Sequence, residues 1–143
     1  MTIRQVSPEE AKALLDDNPD AIYLDVRSVR EFVQGHPEGA INIPLLDYEP
    51  ESGQMQPNAE FPLVVTKILS VEKTYVVGCK SGGRSQRACE ILHQLGFQEI
   101  CNVDGGFHGN DRNEGWHTLG LPVSTDNGEG NSYESLKMKA KSS

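Results

Sequence analysis

The 143-residue chain is poor in cysteine and in aromatic side chains: it has three cysteines, one tryptophan and 6% aromatic residues in all. The cysteine count is odd and no two stand in a C-x-x-C pair, so neither a disulfide framework nor a zinc knuckle is expected of Cys79, Cys89 and Cys101. No apolar run approaches the roughly 18 residues that a membrane-crossing helix requires. The first residues, Met1 to Gln5, lack the apolar segment of a secretory signal. The expected setting is the cytoplasm or another reducing compartment, such as an organelle stroma, with at least one thiol free to react. Positive charge is also scarce, since 13 Lys and Arg against 21 Asp and Glu leave a net charge of −8. A field of that sign repels nucleic acid and anionic membrane surfaces, and neither is expected as a partner. What is present, 36% hydrophobic residues, suffices for the core of about one domain.

Ser7-Pro8-Glu9-Glu10 has the spacing of a capping box with proline at the first helical position, and Asn18-Pro19 closes that helix. Ile22 to Val26 is a short apolar run of the kind buried on both faces of a parallel sheet. Ser28 and Glu31 repeat the box for a second helix to about Gln34, and Ala40 to Ile43 makes another strand. Residues 45–60, with Pro50, Gly53 and Pro57, read as a long surface loop. A helix is expected over Phe61 to Leu69 and a strand over Thr74 to Gly78. From Ser85, the residues Ala88, Ile91, Leu92 and Leu95 form a helical stripe closed by Gly96. Glu99 to Val103 reads as a strand, and a last helical region is expected around Trp116. Alternating strands and helices predict an α/β domain with a parallel sheet and helices on both faces, over residues 1–123. Residues 124–143 are nearly devoid of apolar side chains and are expected to form a flexible tail.

Cys79-Lys80-Ser81-Gly82-Gly83-Arg84-Ser85 stands between the strongest strand and the strongest helix. That is the carboxyl end of a parallel strand, where open α/β sheets place their ligands. Adjacent glycines let the backbone curl so that successive N–H groups point inward, and the helix adds its positive end. A thiol in such a bowl is stabilised as thiolate, aided by Lys80 and Arg84, which makes Cys79 the candidate nucleophile. Cys89 and Cys101 are expected to fill the core, Ser85 to cap the helix, and Arg87 to be peripheral. His36 reads as a hydrogen-bonded structural histidine, and His93, His108 and His117 have no metal-ligand spacing.

Leu24-Asp25-Val26-Arg27, Glu31-Phe32, the run Gly35 to Pro44 and the loop Cys79 to Ser85 together resemble the single-domain rhodanese family of sulfurtransferases. Gly105-Gly106, Trp116 and Gly120-Leu121-Pro122-Val123 are similar to the closing motif of that domain, so the likeness spans about residues 5–123. The resemblance implies a three-layer α/β/α fold on a central five-stranded parallel sheet, and a Cys79 that carries sulfane sulfur as a persulfide. Its phosphatase relatives place five residues between cysteine and arginine. Here there are four, a smaller loop suited to sulfur transfer rather than phosphate or arsenate chemistry.

On this reading Lys80, Ser81, Gly82, Gly83, Arg84 and Ser85 bind a small anionic sulfur donor such as thiosulfate. Cyanide, a small thiol or a thioredoxin-like protein takes the sulfur, and no cofactor or metal is required. Asp25 and Arg27 lie on the same rim and are expected to be mainly structural, with Arg27 placed to pair with Glu31 four residues on. The alternative is a persulfide relay or binding module that does not turn over.

Overall fold

Both serine–glutamate spacings open helices as predicted. In the computed structural model, which describes residues 3–142, Ser7 Oγ accepts from the Glu10 N–H while the Glu10 carboxylate accepts from the Ser7 N–H, and α1 (Pro8–Asp17) follows. Ser28 and Glu31 repeat the exchange ahead of α2 (Val29–Gln34). Met1 and Thr2 of the amino-terminal segment, and Ser143 of the expected tail, lie outside the described residues.

Strands β1 (Arg4–Val6), β2 (Ile22–Asp25), β4 (Ile41–Asn42), β7 (Thr74–Gly78) and β8 (Glu99–Val103) form a five-stranded sheet in the order β1-β8-β7-β2-β4. Every neighbouring pair is parallel. Alternation along the strands splits the core in two. Leu24, Tyr75, Val77 and Ile100 pack on one face with α3 (Phe61–Ile68), α4 (Gly83–Gln94) and α5 (Tyr133–Lys141). Tyr23, Val76, Cys101 and Val103 pack on the other with Ala11 of α1 and Phe32 of α2. These are the three layers expected, and they put β7 at the centre of the sheet. Among the described residues no helix is long and apolar enough to cross a membrane.

Three segments differ from expectation. Residues 45–60 are not a structureless loop: β5 (Leu46–Tyr48) and β6 (Met55–Pro57) pair antiparallel. Their turn is tied by the Glu49 carboxylate, which accepts from the Ser52 N–H, and by Gly53 at φ +70. Only three residue pairs face each other, too few for a strand alternation to show in the sequence.

Around Trp116 the chain makes successive turns rather than a helix, held by the Leu119 N–H to Gly115 O and the Trp116 indole N–H to Pro122 O (2.7 Å). From there β9 (Val123–Ser124) pairs antiparallel with β3 (His36–Pro37).

The expected tail holds α5, which packs on α3. Tyr133, Leu136 and Ala140 fall at i, i+3 and i+7 and are buried, and the Tyr133 hydroxyl accepts from Asn58 Nδ2. Three apolar residues at helical spacing, with Ser132 as cap, are enough to hold the segment once α3 offers a face.

Candidate active site

Strand β7 runs into the site through Gly78, where any side chain would strike the Tyr23 hydroxyl: a Cβ there would lie 1.8 Å from it. Cys79 follows, 2% exposed, and the loop turns on Gly82 at φ +127 into α4. The carbonyls of Cys79, Lys80 and Ser81 accept from the N–H groups of Phe107 (2.9 Å), His108 (2.8 Å) and Gly105 (3.1 Å). Each trans peptide that turns its carbonyl outward turns the next N–H the opposite way. The Gly82 N–H accordingly donates to Cys79 Sγ at 3.1 Å.

Gly106 permits this docking, because a Cβ there would lie 2.4 Å from the Cys79 carbonyl oxygen. Gly106→Ala is therefore expected to push the loop out of register and cost about a hundredfold in any reaction that needs a ligand positioned at Cys79, the scale of an ångström-sized misplacement. Turnover through Cys79, on protein shown to be folded by its thermal transition, checks this.

Ser85 does not cap α4. Gly82 is the cap, and Ser85 lies inside the first turns, where its Oγ meets Gly82 O, Asn102 Oδ1 and, at 3.4 Å, Cys79 Sγ. The helix starts three residues earlier than a Ser85 cap would place it, because the chain turns at Gly82 with φ +127.

The charges pair differently from the sequence expectation. Arg27 does not meet Glu31; it clasps Asp25 through Nε and Nη2 (2.8–3.1 Å), and both side chains are about fully buried. Glu31 instead receives two hydrogen bonds from Arg84, at 2.8 and 3.1 Å. Burial pushes the Glu31 carboxyl up, but the hydrogen bonds from Arg84 and Ser28 outweigh it and bring it down to about 2. The guanidinium expected to face a donor anion is thus already occupied, and Lys80 stands exposed at the mouth.

Residues 7–111 match the rhodanese-like domain family. The chain belongs to that family. It is 39% identical over 101 residues to thiosulfate sulfurtransferase 16 of Arabidopsis thaliana, a match covering 71% of this chain and 78% of that protein. With rhodanese-like domain-containing protein 17 of the same plant the identity is 36% over 104 residues, covering 71% of this chain but only 64% of the relative. The fold is similar to the crystal structure of Rv0390 from M. tuberculosis, with a TM-score of 0.73 at 24% identity, over 88% of this chain and all of that one.

Within this rhodanese-like domain, residues 107–115 form a pinned flap rather than a free loop. The Asp104 carboxylate accepts from Arg112, Asn110 and Asn113, and Asn110 also donates to Ser81 O. The hydrogen bond from Arg112 holds the Asp104 carboxyl below the usual carboxylate range. Beside the flap lies a cavity of about 240 Å³ lined by Arg27, Glu31, Phe107, His108 and His117 among others. The Arg27 guanidinium lies 4.4 Å from the centre of the Phe107 ring, with His117 stacked near that ring. Burial, then Arg27 and Lys80, hold the His108 imidazole below the ordinary histidine range.

Cys89 and Cys101 are buried on opposite faces of the sheet, and burial pushes both thiols up. His36 is stacked on Phe32 and bonds its carbonyl through Nδ1 (2.8 Å). Glu31 as the partner of Arg84, and the polar residues Asn102 and Gln5 behind Ser85, were not singled out from sequence. A lone buried-strand Asn between Cys101 and Val103 was the one available signal for the latter.

Proposed function

We propose that this chain is a sulfurtransferase that takes a sulfane sulfur from thiosulfate or a similar donor onto Cys79 and passes it to cyanide or a thiol. The observation that carries the reading is a buried thiol at the carboxyl end of the central strand, receiving the Gly82 N–H and facing the first turn of α4. The thiolate attacks the outer sulfur of thiosulfate, that sulfur's bond to the sulfonate sulfur breaks, and its electron pair leaves with sulfite. Inward N–H groups of the loop then hold the terminal persulfide anion. An acceptor nucleophile takes the outer sulfur and returns the Cys79 thiolate. Family membership and the similarity to thiosulfate sulfurtransferase 16 support this chemistry. The cavity at the flap, lined by Glu31 and His108 among others, offers a small acceptor thiol a place to bind.

Glu31 makes a specific demand on the donor, because an anion that uses Arg84 must displace a carboxylate. Glu31→Gln is expected to lower the KM for thiosulfate about three- to tenfold with little change in kcat, since one charge-assisted contact is released to the donor. An unchanged KM would show that Arg84 does not meet the donor. The same variant has an acid signature. The folded state holds the Glu31 carboxyl at about 2, below its unfolded value, so the ion pair stabilises the fold above the ordinary carboxyl range. That contribution is lost as pH falls toward 2, and urea titrations should show a flatter acid limb in Glu31→Gln.

A further inference from the structure

A row of side-chain hydrogen bonds runs from the surface of α4 to the Cys79 sulfur, and its direction is set at the outer end. The Glu90 carboxylate only accepts, and it takes a hydrogen bond from Gln86 Nε2 (3.4 Å). The Gln86 oxygen is then the acceptor for Gln5 Nε2 (2.6 Å), and the Gln5 oxygen the acceptor for Asn102 Nδ2 (2.8 Å). Asn102 therefore turns Oδ1 toward Ser85 Oγ. An amide oxygen cannot donate, so the single hydroxyl proton of Ser85 is drawn to it, with Gly82 O at 3.1 Å as a second acceptor for the same proton. What Oγ presents to Cys79 Sγ, 3.4 Å away, is a lone pair. Ser85 is fully buried and Asn102 3% exposed, which keeps bulk water from reorienting either group.

We propose that Ser85, oriented by Asn102 and Gln5, accepts the S–H of resting Cys79 and restrains its ionisation, acting as a positioning residue rather than as a donor that activates the thiolate. The inference rests on the reading of Cys79 as the nucleophile. Two neighbours of the sulfur then work in opposite senses. The Gly82 N–H favours the thiolate, and the Ser85 lone pair favours the thiol. Starting from the thiol, sulfur loading converts Cys79–SH and thiosulfate into Cys79–S–S⁻ and hydrogen sulfite, so the thiol proton that had pointed at Ser85 Oγ leaves with the sulfite. Between turnovers the restraint keeps the thiol less open to alkylation and oxidation.

The charged and titratable groups around the sulfur are Arg84 with Glu31 from α4 and α2, Tyr23 and the Asp25–Arg27 pair from β2 and its rim, and Cys89 on α4. Lys80 on the loop, His108 on the flap and Asp104, whose carboxylate lies beside Gly82, are charged or titratable groups around the loop itself. Substitutions at Ser85 and Gln5 leave all of them in place.

The test is the pH dependence of Cys79 alkylation by iodoacetamide in the full chain, read by mass. In Ser85→Ala the profile should move to lower pH, with alkylation at pH 7 about three- to tenfold faster, the factor one hydrogen bond is worth. A move to higher pH would mean that Ser85 donates to the thiolate, and either that or an unmoved profile overturns the proposal. Gln5→Leu changes an exposed residue, leaves Ser85 in place and frees the Asn102 amide to turn. It should move the profile in the same direction by a smaller factor, and no movement there likewise overturns the role of the row. Alkylation needs no sulfur donor, so a failure to load sulfur from thiosulfate is a separate result.

Discussion

Cys79→Ser is expected to abolish thiocyanate formation from thiosulfate and cyanide, by at least about a thousandfold, with the thermal transition little changed. The substitution keeps the side-chain shape within a fraction of an ångström, and an oxygen still accepts from the Gly82 N–H. A near-isosteric exchange at a site already lined by polar groups should cost less than about 1.5 kcal/mol. What disappears is the chemistry. A serine hydroxyl does not ionise near neutral pH, and its oxygen forms no persulfide. Residual turnover within tenfold of the parent would assign the reaction to another group. Neither of the other cysteines is placed for that role, since burial holds both as thiols within the core.

Arg27→Ala is expected to cost about 3–5 kcal/mol, the usual consequence of leaving one member of a buried ion pair alone. Asp25 is 1% exposed, and among the described residues its carboxylate accepts from Arg27 alone, through Nε, Nη2 and the backbone N–H. The guanidinium also donates to Gly35 O at 2.7 Å and covers the Phe107 ring. Its removal thus loosens the end of β2, the exit of α2 and the cavity wall together. A loss of that size is a large share of the 5–15 kcal/mol that holds an ordinary domain folded. Urea unfolding measures it, and a loss below about 1 kcal/mol would show that water reaches Asp25 readily in the folded state.

The parts legible in the sequence are those whose physics is local. Ser7 with Glu10 and Ser28 with Glu31 close their boxes within four residues, and Thr74–Gly78 and Glu99–Val103 carry the β-branched content of central strands. Cys79 stands out for the same reason, since thiol, glycines and helix start are contiguous. The misreadings come from partners far apart in the chain. Arg84 and Glu31 are separated by 53 residues, so only the i, i+4 neighbour Arg27 suggested itself for Glu31. The α5 stripe is sparse and becomes a helix face only because α3 receives it. Gly82 shows the same limit at short range: its positive φ, which moves the helix start ahead of Ser85, follows from the docking of the loop against residues 105–110.

The most direct measurement of the central claim is the intact mass of the reduced protein after incubation with thiosulfate and removal of excess donor. The expected result is a gain of one sulfur atom per chain, located on the peptide containing Cys79 and discharged by cyanide. A mass unchanged by thiosulfate, or a sulfur located on Cys89 or Cys101, would contradict it.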